Sequence, residues 1–143
     1  MGRKILAVVV AFIAAFAVIA IVQMLNTLVV APPSADVMND PARMREFIAT
    51  LPTTAYVVVL IGYFLGSFAG GYIVSNMSRR ESPGIGLGLL IGIVLTIMGL
   101  LNFFVMLPGQ PTWFVVIALL TFIPVALLGH RLARKSDVPA GTH

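Results

Sequence analysis

The chain has 143 residues, of which 59% are hydrophobic and only 10% are charged, and its mean hydropathy is +1.05. Soluble domains carry about 25% charged residues, so this composition excludes a soluble fold and predicts a membrane protein. The net charge of +4 comes from basic residues near span ends, which argues against a nucleic-acid partner. The chain contains no Cys, so it has no disulfides and no thiolate chemistry.

Four long apolar stretches lie between polar breaks, at about residues 5–30, 54–74, 85–107 and 113–128. They predict an all-α fold, a four-helix transmembrane bundle that forms a single integral membrane domain over residues 1–143. The fourth span is the shortest. A cleaved signal peptide is the competing interpretation of the first stretch, but the apolar core of such peptides is only about 7 to 15 residues long. The tail, residues 135–143, lacks apolar periodicity, and we expect it to be mobile.

Basic residues predict the orientation of the bundle. Seven of the nine Lys and Arg residues fall in segments that an even number of crossings puts on one side, and only Arg43 and Arg45 lie opposite. Because basic residues near span ends stay in the cytoplasm, both termini and the 75–83 loop are predicted to be cytoplasmic. Tyr56 and Trp113 would then anchor the outer interface and Tyr72 the inner one.

The first outer loop contains a predicted helix of its own at about residues 41–51. Asp40 can cap it, Pro41 is suited to its first position, and Pro52 stops it. Its apolar residues recur at helical spacing and share one face: Met44, Phe47, Ile48 and Leu51. This short amphipathic helix either lies at the outer membrane interface or packs on the bundle.

Glycines recur every four residues in the second and third spans. They are Gly62, Gly66 and Gly70 in the second span and Gly84, Gly88 and Gly92 in the third. Such spacing lets two helix backbones approach closely, so we expect these glycines to be helix-packing residues whose two faces meet within one chain. Contact with a second copy of the chain and the lining of a pore are the alternatives.

Ionisable residues are missing from all four predicted spans, so we do not expect ion-coupled transport. The polar side chains that remain near the outer ends are Gln23, Asn26 and Asn102. Each asparagine either makes a cross-helix hydrogen bond or belongs to an intramembrane polar site, with Gln23, for a lipid head group or a neutral solute. His130 is predicted at an interface, with its ring reaching toward water.

Signatures of catalysis are also missing, because no nucleophile, zinc or phosphate-loop pattern occurs. The sequence therefore predicts no catalytic residue, no metal site, no cofactor and no enzyme activity.

The two halves of the chain share a pattern. A Leu-Asn pair occurs twice, at Leu25-Asn26 and Leu101-Asn102, and each time a proline follows the Asn by six residues. Spans two and four also begin alike, after Pro52 and Pro111. A duplicated helical hairpin explains the matches, and so does chance in a small apolar alphabet.

Two motifs carry a resemblance: Gly66-x-Phe68-x-Gly70-Gly71-Tyr72, and Leu107-Pro108-x-x-Pro111-x-Trp113. Over about residues 60–134 the chain resembles uncharacterised small four-span bacterial inner-membrane proteins. The resemblance implies a multi-pass protein of the bacterial cytoplasmic membrane and transfers no activity.

Together these observations predict a structural, accessory or lipid-interacting membrane protein that acts through helix packing. Its partners would be membrane lipids, a second copy of the chain or another membrane protein. The alternative is a small oligomeric transporter or channel for a neutral or lipid-like substrate.

Overall fold

The computed structural model describes residues 1–79 and 84–136, and every regular element in those ranges is helical. The elements are α1 (Gly2–Asn26), α2 (Ala35–Met38), α3 (Pro41–Ala49), α4 (Thr53–Ser78), α5 (Gly86–Leu101), a π-helix (Asn102–Met106) and α6 (Thr112–Lys135). Four helices are long and apolar enough to cross a membrane: α1, α4, α5 with the π-helix, and α6. The all-α prediction is confirmed. Helices suit this environment because all their backbone groups are paired within one segment.

Several helix ends differ from the predicted spans. Helix α1 stops at Asn26, where the Thr27 hydroxyl donates to the Met24 carbonyl over 2.6 Å and caps the last turn. Helix α6 continues to Lys135, so the fourth span is not the shortest, and basic residues in its last turn suit the helix dipole. Residues 75–78 of the predicted loop belong to α4. The rest of that loop, residues 80–83, and residues 137–143 of the predicted mobile tail lie outside the described residues.

Helix α3 packs on the end of the bundle. It begins at Pro41, and the Asp40 carboxylate accepts hydrogen bonds from the Ala42 and Arg43 backbone N–H groups at 2.9 and 3.4 Å. Ile48 is buried in the core, and Met44 packs against it. Of the two predicted positions for this helix, contact with the bundle is the one that the structure contains.

Helix α4 is central and contacts α1, α5 and α6. The start of α1, the end of α4, the start of α5 and the end of α6 meet at one end, which we call the basic end. There the Arg79 guanidinium donates to the Ala133 carbonyl over 2.6 Å, and that of Arg134 donates to the Gly84 carbonyl over 3.3 Å. The opposite end, which carries α3, is called the α3 end.

The glycine faces of α4 and α5 do not meet as predicted, because the glycines of α4 face α1. A methyl group on Gly66 would lie 2.6 Å from Ile19 Cγ1 and 2.9 Å from the Ala15 carbonyl oxygen, and one on Gly62 would lie 3.1 Å from Val22 Cβ. Helix α1 offers its own small residues there, since Ala7, Ala11 and Ala15 are fully buried at four-residue spacing. Small residues on both helices therefore allow the close approach.

The glycines of α5 contact a different helix, α6. A methyl group on Gly88 would lie 2.8 Å from His130 Cβ, and one on Gly92 would lie 2.8 Å from Ile123 Cα. Gly70 of α4 lies near both Ala15 of α1 and Ile91 of α5, whereas Gly84 has no atom within 4 Å of its would-be methyl group.

The closest backbone approach joins α4 to α6. A methyl group on Gly71 would overlap the Ala126 carbonyl oxygen, and one on Gly129 would overlap the Phe68 carbonyl oxygen. The contact is thus reciprocal, with one glycine from each helix lying against the backbone of the other. Dispersion over such a contact stabilises helix pairs in lipid, where the hydrophobic effect does not drive association.

We expect Gly71→Ala to lower the free energy of unfolding by about 1–3 kcal/mol, because α4 and α6 must move apart to admit the methyl group. The matched control is Gly86→Ala, at an exposed helical glycine with open space around it. Denaturant titration of the purified protein in detergent measures both. Equal unfolding of the two variants would contradict the α4–α6 contact.

Candidate functional site

A cavity of about 470 Å³ lies at the α3 end of the bundle, between α1, α4 and α5. This volume is within the range of small-molecule sites, which is about 300–1,000 Å³. Its lining comes from the four spans, α3 and the turn before α6: Phe16, Ile19, Gln23, Asn26, Ile48, Leu51, Ala55, Tyr56, Val59, Tyr63, Leu95, Met98, Gly99, Asn102, Met106, Leu107, Gln110, Phe114 and Phe122. Among these described lining residues none is acidic, basic or His.

Aromatic rings keep the helices apart at this level. The ring centroid of Tyr63 in α4 lies 5.3 Å from that of Phe122 and 6.3 Å from that of Phe114. The centroids of Phe114 and Tyr56 are 5.0 Å apart. Gly99 of α5 leaves room for this cluster, since a methyl group there would lie 2.6 Å from the ring of Phe122. The α3 end contains bulky rings, whereas the basic end is built from alanine and glycine. Space therefore remains between the helices at the α3 end.

The three polar residues predicted for an intramembrane site all line the cavity. Gln23 and Asn26 come from the last turns of α1, and Asn102 opens the π-helix that follows α5. A π-helix widens the turn, here with the Leu107 N–H donating to the Asn102 carbonyl over 2.8 Å. The structure therefore brings both amides of the repeated Leu-Asn pattern to one site.

Sequence reasoning missed two further polar groups of the cavity, Tyr63 and Gln110. Tyr63 of α4 and Asn102 of the π-helix line the cavity together. Tyr63 lies in the middle of an apolar span and Gln110 in a short turn, so neither position carries a local signal for a site. An unpaired tyrosine hydroxyl deep in a span is a signal that could have been used, because such a group requires a partner.

Two amide oxygens at this site are buried without a partner among the described residues: Oδ1 of Asn26 and Oε1 of Gln110. A buried acceptor without a hydrogen bond is unfavourable, and it becomes favourable when a donor reaches it. Neighbouring protein atoms cover both oxygens, so neither lies at the accessible surface of the cavity.

Exposed residues on both α1 and α5 line the cavity. These two helices approach each other near the basic end, where Lys4 and Val8 lie beside Leu87, and they share few contacts elsewhere. Phe16 of α1 and Met98 of α5 line the cavity, yet 42% and 45% of their surfaces remain exposed. We infer from these two exposed side chains that the cavity opens sideways between α1 and α5.

Helix α3 closes the cavity from above, and Tyr56 holds it there. Ile48 and Leu51 line the cavity, and the Tyr56 hydroxyl donates to the Ile48 carbonyl over 2.8 Å. Tyr56 is buried, and its role as an anchor at the outer interface stays a prediction. Its hydroxyl satisfies a carbonyl at the end of α3.

The other predicted residues lie outside the cavity. Trp113 is 42% exposed, and Tyr72 stacks on Phe68 at 6.2 Å between ring centroids. His130, predicted to reach toward water, is fully buried beside Gly88 because α5 and α6 approach closely there. No group of His, Cys, Asp or Glu able to hold a metal occurs within residues 1–79 and 84–136.

Comparisons with protein-family models, curated proteins and solved structures found no match to this chain. The function is therefore inferred from the chemistry of the cavity. Amides and phenols surrounded by apolar side chains can form hydrogen bonds to an uncharged group and contacts to hydrocarbon. They do not titrate near neutral pH, so they favour binding over proton transfer.

We expect Tyr56→Phe to loosen α3, because the Ile48 carbonyl loses its hydrogen bond to the tyrosine hydroxyl. One net hydrogen bond is worth about 0.5–1.5 kcal/mol, so α3 should open about 2 to 10 times more often. Trypsin cleavage after the exposed Arg43 and Arg45 in native protein measures this opening. Tyr72→Phe is the matched control, and equal cleavage of both variants would show that the hydroxyl does not hold α3.

Proposed function

We propose that this multi-pass membrane protein is lipid-interacting and holds one uncharged, lipid-like molecule in the cavity at the α3 end. The observation that carries the proposal is the lining of that cavity, which combines apolar side chains with uncharged hydrogen-bonding groups. Such a lining matches an amphiphile, with hydrocarbon against the apolar residues and a polar group against the amides. The proposed role is binding, not catalysis.

The depth of the cavity supports an elongated ligand. Asn26 and Phe16 both line it from α1 and are ten residues apart, which corresponds to about 15 Å along a helix. A ligand with its polar group near Asn26 would extend its chain toward Phe16 and Phe122. The opening between α1 and α5 would admit that chain from the bilayer.

Transport of the same molecule is the second candidate, and the sideways opening favours it. Below the cavity, however, Gly66 and Gly70 pack against α1, and Gly88 packs against α6. A path toward the basic end would require these contacts to open. Storage or presentation of a bound lipid needs no such change, so binding is the function that we propose first.

We expect Val59→Phe to displace the ligand, because Val59 lines the cavity and a phenyl ring would occupy part of its volume. Overfilling a packed site opposes binding by about 1–3 kcal/mol, equivalent to about fivefold or more in bound lipid. Native mass spectrometry of the full chain, extracted in a mild detergent, measures the bound fraction.

Val57→Phe is the matched control, since Val57 lies on the same helix and is 43% exposed outside the cavity. It should retain the lipid seen on the unmodified protein. If Val59→Phe and Val57→Phe carry equal amounts of bound lipid, the cavity is not the binding site and the proposal fails.

We also propose that the basic end faces the cytoplasm of a bacterial inner membrane and that α3 lies at the outer interface. The charge distribution supports this orientation, because all the Lys and Arg residues that the structure describes, except Arg43 and Arg45, belong to segments at the basic end. The exposed charged residues of α3 suit an interface between bilayer and water.

Single cysteines test the orientation, since the chain has none of its own. We expect Ser34→Cys to react with a membrane-impermeant maleimide in intact cells and Ser136→Cys to react only after lysis. Both serines are exposed and lie at opposite ends of the bundle. Labelling of position 136 but not of position 34 in intact cells would reverse the topology.

A further inference from the structure

We propose that a groove between α1 and α5 at the basic end binds an anionic phospholipid, with an acyl chain along the groove and the phosphate beside the ammonium group of Lys4. This site is separate from the cavity at the α3 end, since the two share no lining residue. It adds a charged ligand to a protein whose cavity is proposed to hold an uncharged one.

The groove is built from aliphatic side chains. Its volume is about 300 Å³, and it is lined by Lys4, Ile5, Val8, Val9, Leu87 and Leu90. Val8 and Leu87 pack against the core and form the floor, whereas Ile5, Val9 and Leu90 are exposed and form the rims. No nitrogen or oxygen of the described lining residues lies at the surface of the groove. Such a surface suits a hydrocarbon chain and offers no hydrogen bond to a polar solute.

Lys4 is the one charged residue of this described lining. It contributes the aliphatic part of its side chain, so its ammonium group lies beyond the groove. A lysine near a helix end extends toward the lipid head groups in this way. Val8 and Val9 follow Lys4 along α1 by about 6 to 7.5 Å of helical rise. An acyl chain in the groove would therefore leave its phosphate beside Lys4.

The charges around the groove favour an anion. The described Asp and Glu residues are Asp36, Asp40 and Glu46, and all three lie between α1 and α4, at the α3 end. The one ion pair within residues 1–79 and 84–136 joins Arg43 to Asp40, so Lys4 has no carboxylate partner in that part of the chain. A lipid phosphate would supply this negative charge, as it does in basic pockets between membrane helices. A zwitterionic head group brings its own cation and gains less.

Three probes test the site: dioleoylphosphatidylglycerol, dioleoylphosphatidylcholine and sn-glycerol 3-phosphate. The two phospholipids have the same chains and differ in net charge, and the third probe carries a phosphate without chains. Native mass spectrometry of the delipidated full-length protein in detergent gives the affinity for the first bound lipid. We expect phosphatidylglycerol to bind about fivefold or more tightly than phosphatidylcholine, because one cation near a lipid head group contributes about that factor. Glycerol phosphate should not displace it.

Charge variants locate the head group. Lys4→Gln should lower the affinity for phosphatidylglycerol about fivefold and leave that for phosphatidylcholine unchanged, whereas Lys4→Arg should retain the preference. The matched control is Lys135→Gln, which removes the same charge from an exposed residue at the basic end of α6. Equal losses in Lys4→Gln and Lys135→Gln would assign the preference to the overall charge of this end and overturn the site.

Rim variants locate the acyl chain. Val9→Trp and Leu90→Trp place an indole over the groove from its two sides, and each should lower the affinity for both phospholipids about fivefold or more. Leu132→Trp is the matched control, because Leu132 is 41% exposed, against 40% for Leu90, and lies outside the groove at the basic end of α6. Unchanged binding in both rim variants would show that the chain lies elsewhere.

The remaining outcomes separate this site from the cavity and from a site for soluble anions. Equal affinity for the two phospholipids would overturn the preference for an anion, and displacement by glycerol phosphate would overturn the assignment to a lipid. Val59→Phe, which fills the cavity, should leave phosphatidylglycerol binding unchanged. A loss of phosphatidylglycerol in that variant would place the phospholipid in the cavity and overturn the groove site, so either proposal can fail without the other.

Discussion

Close backbone contact between α4 and its neighbours is the interaction on which the bundle depends. Lipid chains are as apolar as the side chains of these helices, so burial alone does not bring the helices together, and dispersion at short range must do so. Helix α4 meets this need on two surfaces: Gly62 and Gly66 lie against α1, and Gly71 lies against α6. The central position of α4 follows from having small residues on both.

The cavity is a consequence of where small and large residues lie along the bundle. Alanine and glycine bring α1 and α4 together from the basic end up to about Gly62, whereas rings such as Tyr56 and Phe114 pack nearer α3. The cavity therefore lies where the side chains between the helices are large. Because this spacing follows from side-chain size, the volume should be a stable feature of the fold and not an accident of loop conformation.

Composition and hydropathy were sufficient to predict the four apolar helices, because a chain in lipid must pair its backbone groups within each segment. They could not predict which helices meet. A glycine face can pack against any other face of small residues. In this structure the glycine face of α4 packs against the alanines of α1, such as Ala11. Likewise the sequence position of Tyr56, at the start of a span, suggests an interface anchor. Its burial could not be predicted, because it depends on contact with α3. Asn26 and Asn102 were grouped from the sequence because amides in apolar spans require partners, and both line the cavity, whereas Gln110 reaches it only through tertiary structure.

The contact between Tyr56 and Trp113 gives the protein an internal optical reporter. Trp113 is the only tryptophan of the chain, and its ring lies edge-on to that of Tyr56, with 6.0 Å between the centroids. The Tyr56 hydroxyl in turn donates a hydrogen bond to a carbonyl of α3, and Tyr56 also lines the cavity. Indole emission depends on local polarity, so the intrinsic fluorescence of the unmodified protein should shift whenever α3 moves or the cavity fills. Occupancy of the cavity can thus be followed in real time without attaching a dye.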